Sequence, residues 1–333
     1  MYRYNSFWPF KLSQTFILGF VLSKTWTAGV FEERIYVRPY TGTLSILMYL
    51  NILSYSRIMA KAINGNTSSK NRRHIAASPI PNFATSVVDF ILRQLLTLNL
   101  TKMLIFYFAM VAFVSVVCDL QKPVPGYFSN KKNVFNQYFV KLGWGWTLLG
   151  ICSLLCLTNF VENKGEFKNF QSSMVRVAVM SVLWYICTHS FEWFENVSGH
   201  CKFSPGHSTK RACLRAGFSW LGFDVSGHCF LLLFSIIFIN QECKALDKIS
   251  KKLDELERDG SANENPPSLL SLLNCRLYLR IIMIFLAFLM LLWTVMMFFT
   301  SVYFHTVVQK LLGLAIATSC WFLVYKVLNL GPR

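Results

Sequence analysis

Six long apolar runs, almost free of charged side chains, constrain this chain more than any other feature. They lie at about residues 103–119, 143–161, 175–194, 223–240, 278–299 and 301–324. A helix needs about 20 mostly apolar residues to cross a hydrocarbon core of about 30 Å, and each run comes close to that length. With 54% of residues hydrophobic and only 15% charged, too little charge remains to cover a soluble protein. The sequence therefore predicts an all-α polytopic membrane protein with six transmembrane helices.

The basic residues predict which side of the membrane each connection faces. The net charge is +17, and cytosolic flanks of spanning helices collect Lys and Arg. If both termini are cytosolic, 19 of the 28 Lys and Arg residues after position 56 fall on the cytosolic side. The connections after spans one, three and five then face the lumen. The sequence contains no recognisable nucleic-acid-binding motif, so we expect the charge to serve the membrane and not a nucleic-acid partner.

The first 101 residues differ from the rest of the chain. Residues 1–58 contain only short or interrupted apolar segments, and Met59 is an alternative start, so their place in the mature protein is open. Residues 59–101 predict a cytosolic tail and an amphipathic helix on the membrane surface. Residues 102–328 form the predicted transmembrane domain. Within it, an apolar stripe predicts a cytosolic amphipathic helix at 243–259.

Two of the six histidines, His228 and His305, fall at the predicted lumenal ends of spans four and six. His228 directly follows Ser226 and Gly227, whose backbone N–H groups at a helix N-terminus would favour an anion. A tight hairpin near Thr300 joins spans five and six, so the two histidines can meet over one pocket. Two histidines beside a phosphate suit phosphoryl chemistry, because one can attack phosphorus while the other protonates the leaving oxygen. The alternative is that both only cap helices or pack at interfaces.

The loop after span three allows two interpretations. Cys201, His207 and Cys213 stand six residues apart, which raises the possibility of a metal site. Structural zinc sites use a shorter spacing between paired cysteines, and a lumenal loop is oxidising, so we expect a disulfide between Cys201 and Cys213 instead. His189 lies inside span three, where a packing role competes with a functional one. We expect no metal and no other cofactor.

Four motifs resemble the fat storage-inducing transmembrane (FIT) family. They are YFSNKKNVFNQYFVK at 127–141, GWGWT at 143–147, FDVSGH at 223–228 and YFH at 303–305. The resemblance extends in order over about residues 86–328, with matching span count and loop lengths. It implies a membrane protein of the endoplasmic reticulum, distantly related to lipid phosphate phosphatases and active on the lumenal face.

The activity that the resemblance implies is that of a fatty acyl-CoA diphosphatase. Such an enzyme hydrolyses acyl-CoA to acyl 4′-phosphopantetheine and adenosine 3′,5′-bisphosphate, and it supports lipid droplet formation and lipid homeostasis of the endoplasmic reticulum. The resemblance also implies binding of diacylglycerol and triacylglycerol. Carried over to this chain, His305 would be the nucleophile and His228 the general acid. Ser226, the Gly227 amide and Asp224 would complete the phosphate site.

Two departures from the phosphatase pattern leave alternatives open. The related phosphatases carry a Ser-Arg pair ahead of the second histidine, where this chain has Met-Phe-Phe at 297–299. A lumenal lysine would then have to supply the positive charge; the candidates are Lys131, Lys132, Lys141, Lys202 and Lys210. The related phosphatases also carry an acidic residue where this chain has Gln309. Asp224 or Glu195 would then have to orient the imidazole of His305. The alternatives are a lipid phosphate phosphatase, a non-catalytic neutral-lipid binder, or a scaffold acting through the 243–259 helix.

Overall fold

A computed structural model describes residues 83–163, 167–202, 209–260 and 269–331. The predictions for residues 1–82 and for His207 lie outside these described residues. The α-helices, in chain order, are α1 (Phe83–Leu96), α2 (Leu100–Leu120), α3 (Gly143–Asn163), α4 (Phe167–Ser198), α5 (Lys210–Arg215), α6 (Gly227–Glu242), α7 (Leu246–Gly260), α8 (Leu269–Tyr303) and α9 (Val307–Phe322). A π-helical segment, Phe135–Val140, precedes α3, and another, Leu323–Val327, follows α9. Two short strands, β1 (His200–Cys201) and β2 (Trp220–Leu221), pair antiparallel.

Six helical stretches in the described part of the chain are long and apolar enough to cross a membrane. They are Leu100–Leu120, Gly143–Val161, Gln171–Ser198, Gly227–Arg258, Asn274–Tyr303 and Val307–Val327. The length and composition of these helices confirm the prediction of an all-α polytopic membrane protein with six spans. The fourth span begins at Gly227, so the residues just before it, at 223–226, are free to form a loop at the helix end.

The turn between the fifth and sixth spans lies at residues 304–306, and its prediction near Thr300 is wrong. Thr300 lies within α8, which continues to Tyr303, and its hydroxyl donates a hydrogen bond to the Met296 carbonyl in the preceding turn. The chain turns where Thr306 and Gln309 form a capping box. The Thr306 hydroxyl accepts from the Gln309 N–H at 3.5 Å, and the Gln309 side chain accepts from the Thr306 N–H at 3.0 Å. His305 therefore lies in the turn itself and not in the helix.

The described residues form two compact units. The first contains α1, α7 and the adjoining parts of α3 and α8. Within it, Arg280 on α8 binds Asp89 on α1 through two hydrogen bonds of 2.8 Å. The amphipathic helix α7 buries its apolar stripe, which consists of Leu246, Ile249 and Leu253. Its charged residues lie on the opposite face, which is the pattern of a helix with one side against protein and one side in water.

The second unit surrounds α6, which is buried from its third residue to its end. A helix that is apolar on all sides lies either in a protein core or in a membrane, and α6 is enclosed by protein. α9 packs closely against α6. A Cβ atom on Gly313 would fall only 2.7 Å from the Ser226 carbonyl oxygen, so the backbones approach each other at this glycine. The Ser226 N–H donates to the Gln309 carbonyl at 3.1 Å. α6 and α9 thus begin side by side, and this arrangement brings His228 and His305 to neighbouring helix ends.

A disulfide closes the segment that precedes this site. Cys201 on β1 is bonded to Cys213 on α5, which confirms the pairing expected from the sequence. β1 also pairs with β2, so the chain forms a small cross-linked cap between α4 and the loop that leads into α6. The segment ends only a few residues before Asp224.

Candidate active site

The first histidine, His228, lies in the first turn of α6 and contacts a buried asparagine. Its Nε2 atom lies 2.7 Å from Oδ1 of Asn136. The amide of Asn136 is oriented by a second contact, because its Nδ2 donates to the Lys131 carbonyl at 2.7 Å. Oδ1 can only accept, so the Nε2 atom of His228 carries the proton and donates it. In the neutral ring, the lone pair then resides on Nδ1.

The second histidine, His305, lies in the turn between α8 and α9 with a backbone φ of 57°. Histidine enters this left-handed region more readily than most residues. Its Nδ1 lies 3.4 Å from Oδ2 of Asp224. Burial lowers the pKa of His305 below its ordinary value; the negative charge of Asp224 opposes this, while Lys131 and Lys310 add to the lowering. Burial therefore favours the neutral ring, with Nδ1 on the side of the Asp224 carboxylate and Nε2 on the opposite side.

The carboxylate beside His305 is Asp224, one of the two acidic residues considered from the sequence. Burial raises the pKa of Asp224 above its ordinary value, and the nearby His305 opposes that shift. Glu195 instead binds Lys210, whose Nζ lies 2.8 and 2.9 Å from its two carboxylate oxygens. Gln309 uses its side chain to cap α9. The structure thus places Asp224 beside His305, whereas the side chains of Glu195 and Gln309 have other partners.

Of the five lysines considered as phosphate-binding cations, two lie near the histidines. Lys131 acts electrostatically on both histidines and on Asp224. Lys141 acts on His228 as well. Lys210 is committed to an ion pair, as described above. Among the lysines of the described residues, Lys131 is the one whose charge acts on both histidines and on Asp224.

Ser226 and Gly227 contribute differently to the start of α6. Ser226 is completely buried, and its hydroxyl accepts from the Cys229 N–H at 3.4 Å, which is the bond of an N-cap serine. Its own N–H is taken by the Gln309 carbonyl. These contacts assign Ser226 to helix capping and to the contact with α9. Among the described residues, no atom lies within 4 Å of a Cβ built on Gly227, so open space lies beside its backbone.

The position of the phosphatases' arginine is filled by aromatic residues. Phe299 stacks on Phe128 with ring centroids 3.7 Å apart and an interplanar angle of 10°. In the described ranges, no group of three or more His, Cys, Asp or Glu side chains could hold a metal ion. The polar groups that the structure places at this site are two imidazoles, a carboxylate, an amide and nearby ammonium groups.

Comparisons with known proteins agree on one family. The family model described as fat storage-inducing transmembrane protein matches residues 124–325. Three relatives are each named acyl-coenzyme A diphosphatase FITM2. The protein of Danio rerio is 35% identical over 228 residues, which cover 66% of this chain and 81% of the relative. That of Homo sapiens is 32% identical over 211 residues, covering 61% of this chain and 73% of the relative.

The third relative, from Drosophila melanogaster, is 32% identical over 238 residues. The match covers 66% of this chain but only 56% of the fly protein, so the chain spans little more than half the length of that relative. No solved structure matches the chain. Both histidines, with Asp224 and Asn136, lie inside the residues that the family model matches.

Proposed function

The chain belongs to the fat storage-inducing transmembrane protein family, and from this premise we propose that it is a fatty acyl-CoA diphosphatase. It would hydrolyse acyl-CoA to acyl 4′-phosphopantetheine and adenosine 3′,5′-bisphosphate. The relatives' name, acyl-coenzyme A diphosphatase, supports this substrate. One structural observation carries the proposal: two imidazoles lie at neighbouring helix ends, each with its own polar partner.

In the proposed mechanism, His305 is the nucleophile. In the proposed tautomer, Nδ1 carries the proton on the side of Asp224, and the Nε2 lone pair attacks a phosphorus atom of the diphosphate. The bridging P–O bond breaks, and its electron pair leaves with the departing phosphate. His228, whose Nδ1 first takes up a proton from solvent, gives that proton to the departing oxygen. Water then attacks the phosphohistidine, His228 takes the proton back, and the second product is released, so each diphosphate consumes one water molecule.

The leaving group favours a diphosphate over a phosphate monoester as substrate. A phosphate that departs from an anhydride has a second pKa of about 6, so it needs less help from an acid than an alkoxide does. The glycerol oxygen of phosphatidic acid is far more basic and needs a full proton. Because Asn136 engages one ring N–H of His228, only the other nitrogen can serve the leaving group. The site therefore suits the departure of a phosphate better than the departure of a glycerol oxygen.

We propose that the protein resides in the endoplasmic reticulum membrane, with this site on the lumenal face. The excess of basic residues on the other side supports that orientation. The Cys201–Cys213 disulfide also supports it, since it lies just ahead of Asp224 and disulfides persist in oxidising compartments. The acyl chain would remain in the membrane, because His228 lies in the first turn of a spanning helix.

The proposed reaction links the protein to fat storage. The family name describes proteins that induce fat storage, and we infer that turnover of acyl-CoA supports lipid droplet formation and lipid homeostasis in the same membrane. Diacylglycerol and triacylglycerol are the neutral lipids that we expect the protein to bind. A loss of droplets in cells that carry a catalytically silent variant would support this link, whereas full rescue by such a variant would assign droplet formation to lipid binding alone.

Replacing Asp224 with Asn should reduce turnover and move the acidic limb of the kcat/KM profile to lower pH. The negative charge of Asp224 raises the pKa of His305 against the effect of burial. Without that charge the pKa of His305 falls further, and the ring stays neutral at a lower pH. The measurement is the pH–rate profile of the purified protein. Asp247→Asn, on α7, is the control and should leave the profile unchanged; an acidic limb that moves upward in Asp224→Asn would contradict the contact.

The proposed function is tested by offering the purified protein two substrates separately. Oleoyl-CoA should yield oleoyl 4′-phosphopantetheine and adenosine 3′,5′-bisphosphate in equal amounts, identified by mass spectrometry. Phosphatidic acid should release inorganic phosphate at a much lower kcat/KM. If phosphatidic acid is the better substrate, the protein is a lipid phosphate phosphatase. If neither is turned over, the proposed diphosphatase activity is wrong.

A further inference from the structure

A buried amide network underlies the first histidine. Asn133 and Asn136 are 6% and 7% exposed, although asparagine usually lies at the surface. The Asn136 N–H donates to Oδ1 of Asn133 at 2.7 Å, and Nδ2 of Asn133 donates to the Asn130 carbonyl at 2.9 Å. Each amide is therefore oriented by a contact inside its own loop. Burying two amides in this way is costly unless their contacts are made, and the last contact in the series is the one to His228.

The contact between Asn136 and His228 fixes which ring nitrogen carries the proton. Oδ1 of Asn136 accepts at 2.7 Å, and its Nδ2 is already used on the Lys131 carbonyl at 2.7 Å. A flip of the amide would break that second bond and turn its Nδ2 toward the ring. The neutral ring therefore holds its proton on Nε2 and its lone pair on Nδ1.

The surrounding charges would not fix the tautomer if the asparagine were absent. The groups that act electrostatically on His228 are His305, Lys131 and Lys141. Ammonium groups only donate hydrogen bonds, so they attract whichever ring nitrogen holds the lone pair. With no acceptor at position 136, nothing would reserve Nε2 for the proton.

We propose that Asn136 is a positioning residue, which keeps the His228 proton on Nε2 so that Nδ1 is the nitrogen that exchanges a proton with the departing phosphate. This inference rests on the proposed diphosphatase function. Asn136 acts through His228 and does not itself contact the substrate. Asn136 also binds the backbone carbonyl of Lys131. It therefore couples the orientation of the His228 ring to the position of Lys131.

Three variants separate these two effects. Asn136→Ala removes both contacts, and we expect kcat to fall about 10- to 100-fold, the usual cost of losing a partner that orients a functional histidine. Asn136→Asp keeps an acceptor for Nε2–H but loses the bond to the Lys131 carbonyl, so kcat should stay within about threefold of the parent while KM rises. Gln137→Ala is the matched control: it removes a 3.2 Å bond to the same carbonyl without touching the histidine, and kcat should not change.

The decisive readout is the tautomer of His228, measured by ¹⁵N NMR on protein labelled at histidine and assigned by the loss of one signal in His228→Gln. The parent and Asn136→Asp should show the proton on Nε2 alone, and Asn136→Ala should show a mixture of the two tautomers. A parent ring protonated on Nδ1, or an unchanged tautomer in Asn136→Ala, would overturn the proposal even if the enzyme is active. If Asn136→Ala does not fold, the tautomers of His228 in the parent and in Asn136→Asp still test whether the proton is held on Nε2. A parent that does not cleave oleoyl-CoA would instead refute the diphosphatase function, because the NMR signal does not depend on turnover.

Discussion

Replacing His305 with Asn is expected to lower acyl-CoA turnover by about 10³-fold or more, because it removes the proposed nucleophile. Asparagine is the right substitute for a geometric reason. His305 has a backbone φ of 57°, and asparagine tolerates this left-handed conformation better than alanine does. The turn between α8 and α9 should therefore survive, so that lost activity reports lost chemistry. The measurement is kcat on oleoyl-CoA in detergent.

The matched control for this variant is His200→Asn. His200 lies on β1 and is exposed, so its replacement should leave kcat within about twofold and thermal stability unchanged. If His305→Asn folds like the parent and retains more than a tenth of its activity, His305 is not the nucleophile. The assignment of roles to the two histidines would then have to be abandoned.

Replacing Glu242 with Leu is expected to destabilise the protein by about 3–5 kcal/mol. Glu242, at the end of α6, accepts two hydrogen bonds from Arg176 on α4, at 2.9 and 2.8 Å. Tyr325 donates a third, at 2.8 Å. The side chains of Arg176 and Glu242 are only 4% and 1% exposed, so removing the acid leaves a buried guanidinium without its counter-charge. Thermal unfolding in detergent measures the loss.

Two further variants make this prediction sharp. The double variant Arg176→Met with Glu242→Leu removes both charges, and we expect it to recover most of the lost stability, since an apolar pair of similar volume costs no desolvation. Glu255→Leu breaks an exposed pair with Lys252 and should cost no more than about 1 kcal/mol. A single Glu242→Leu variant as stable as the parent would show that the buried pair contributes little to the bundle.

The sequence predicted those features that depend on long-range composition or on local pattern. The six spans follow from apolar runs of the right length, and the Cys201–Cys213 bond follows from its place in a loop that the sequence predicts to be lumenal. His228 and His305 were found because each stands at the end of an apolar run, and helix ends on one side of a membrane lie together. These inferences depend on the length of the apolar runs and on the bilayer, and not on any particular side-chain contact.

Features that depend on a particular side-chain contact were missed. Asn136 carries no local signal of its role, because its partner is 92 residues away. Arg176 and Glu242 are 66 residues apart, and no local pattern in the sequence predicts their contact. The capping box of Thr306 and Gln309 is different, since Thr-x-x-Gln is a recognisable helix start. Reading it would have moved the hairpin away from Thr300 and shown that Gln309 is not available to orient His305.

The central claim, that this chain cleaves acyl-CoA at its diphosphate, is tested most directly by turnover of oleoyl-CoA in H₂¹⁸O. Hydrolysis at the diphosphate should place one ¹⁸O atom per turnover in a phosphate group of the products, with the oleoyl thioester intact. Hydrolysis of the thioester would place the label in the carboxylate of free oleate and release coenzyme A. Label in a phosphate of acyl 4′-phosphopantetheine or adenosine 3′,5′-bisphosphate is the result that we predict; label in oleate would contradict the claim.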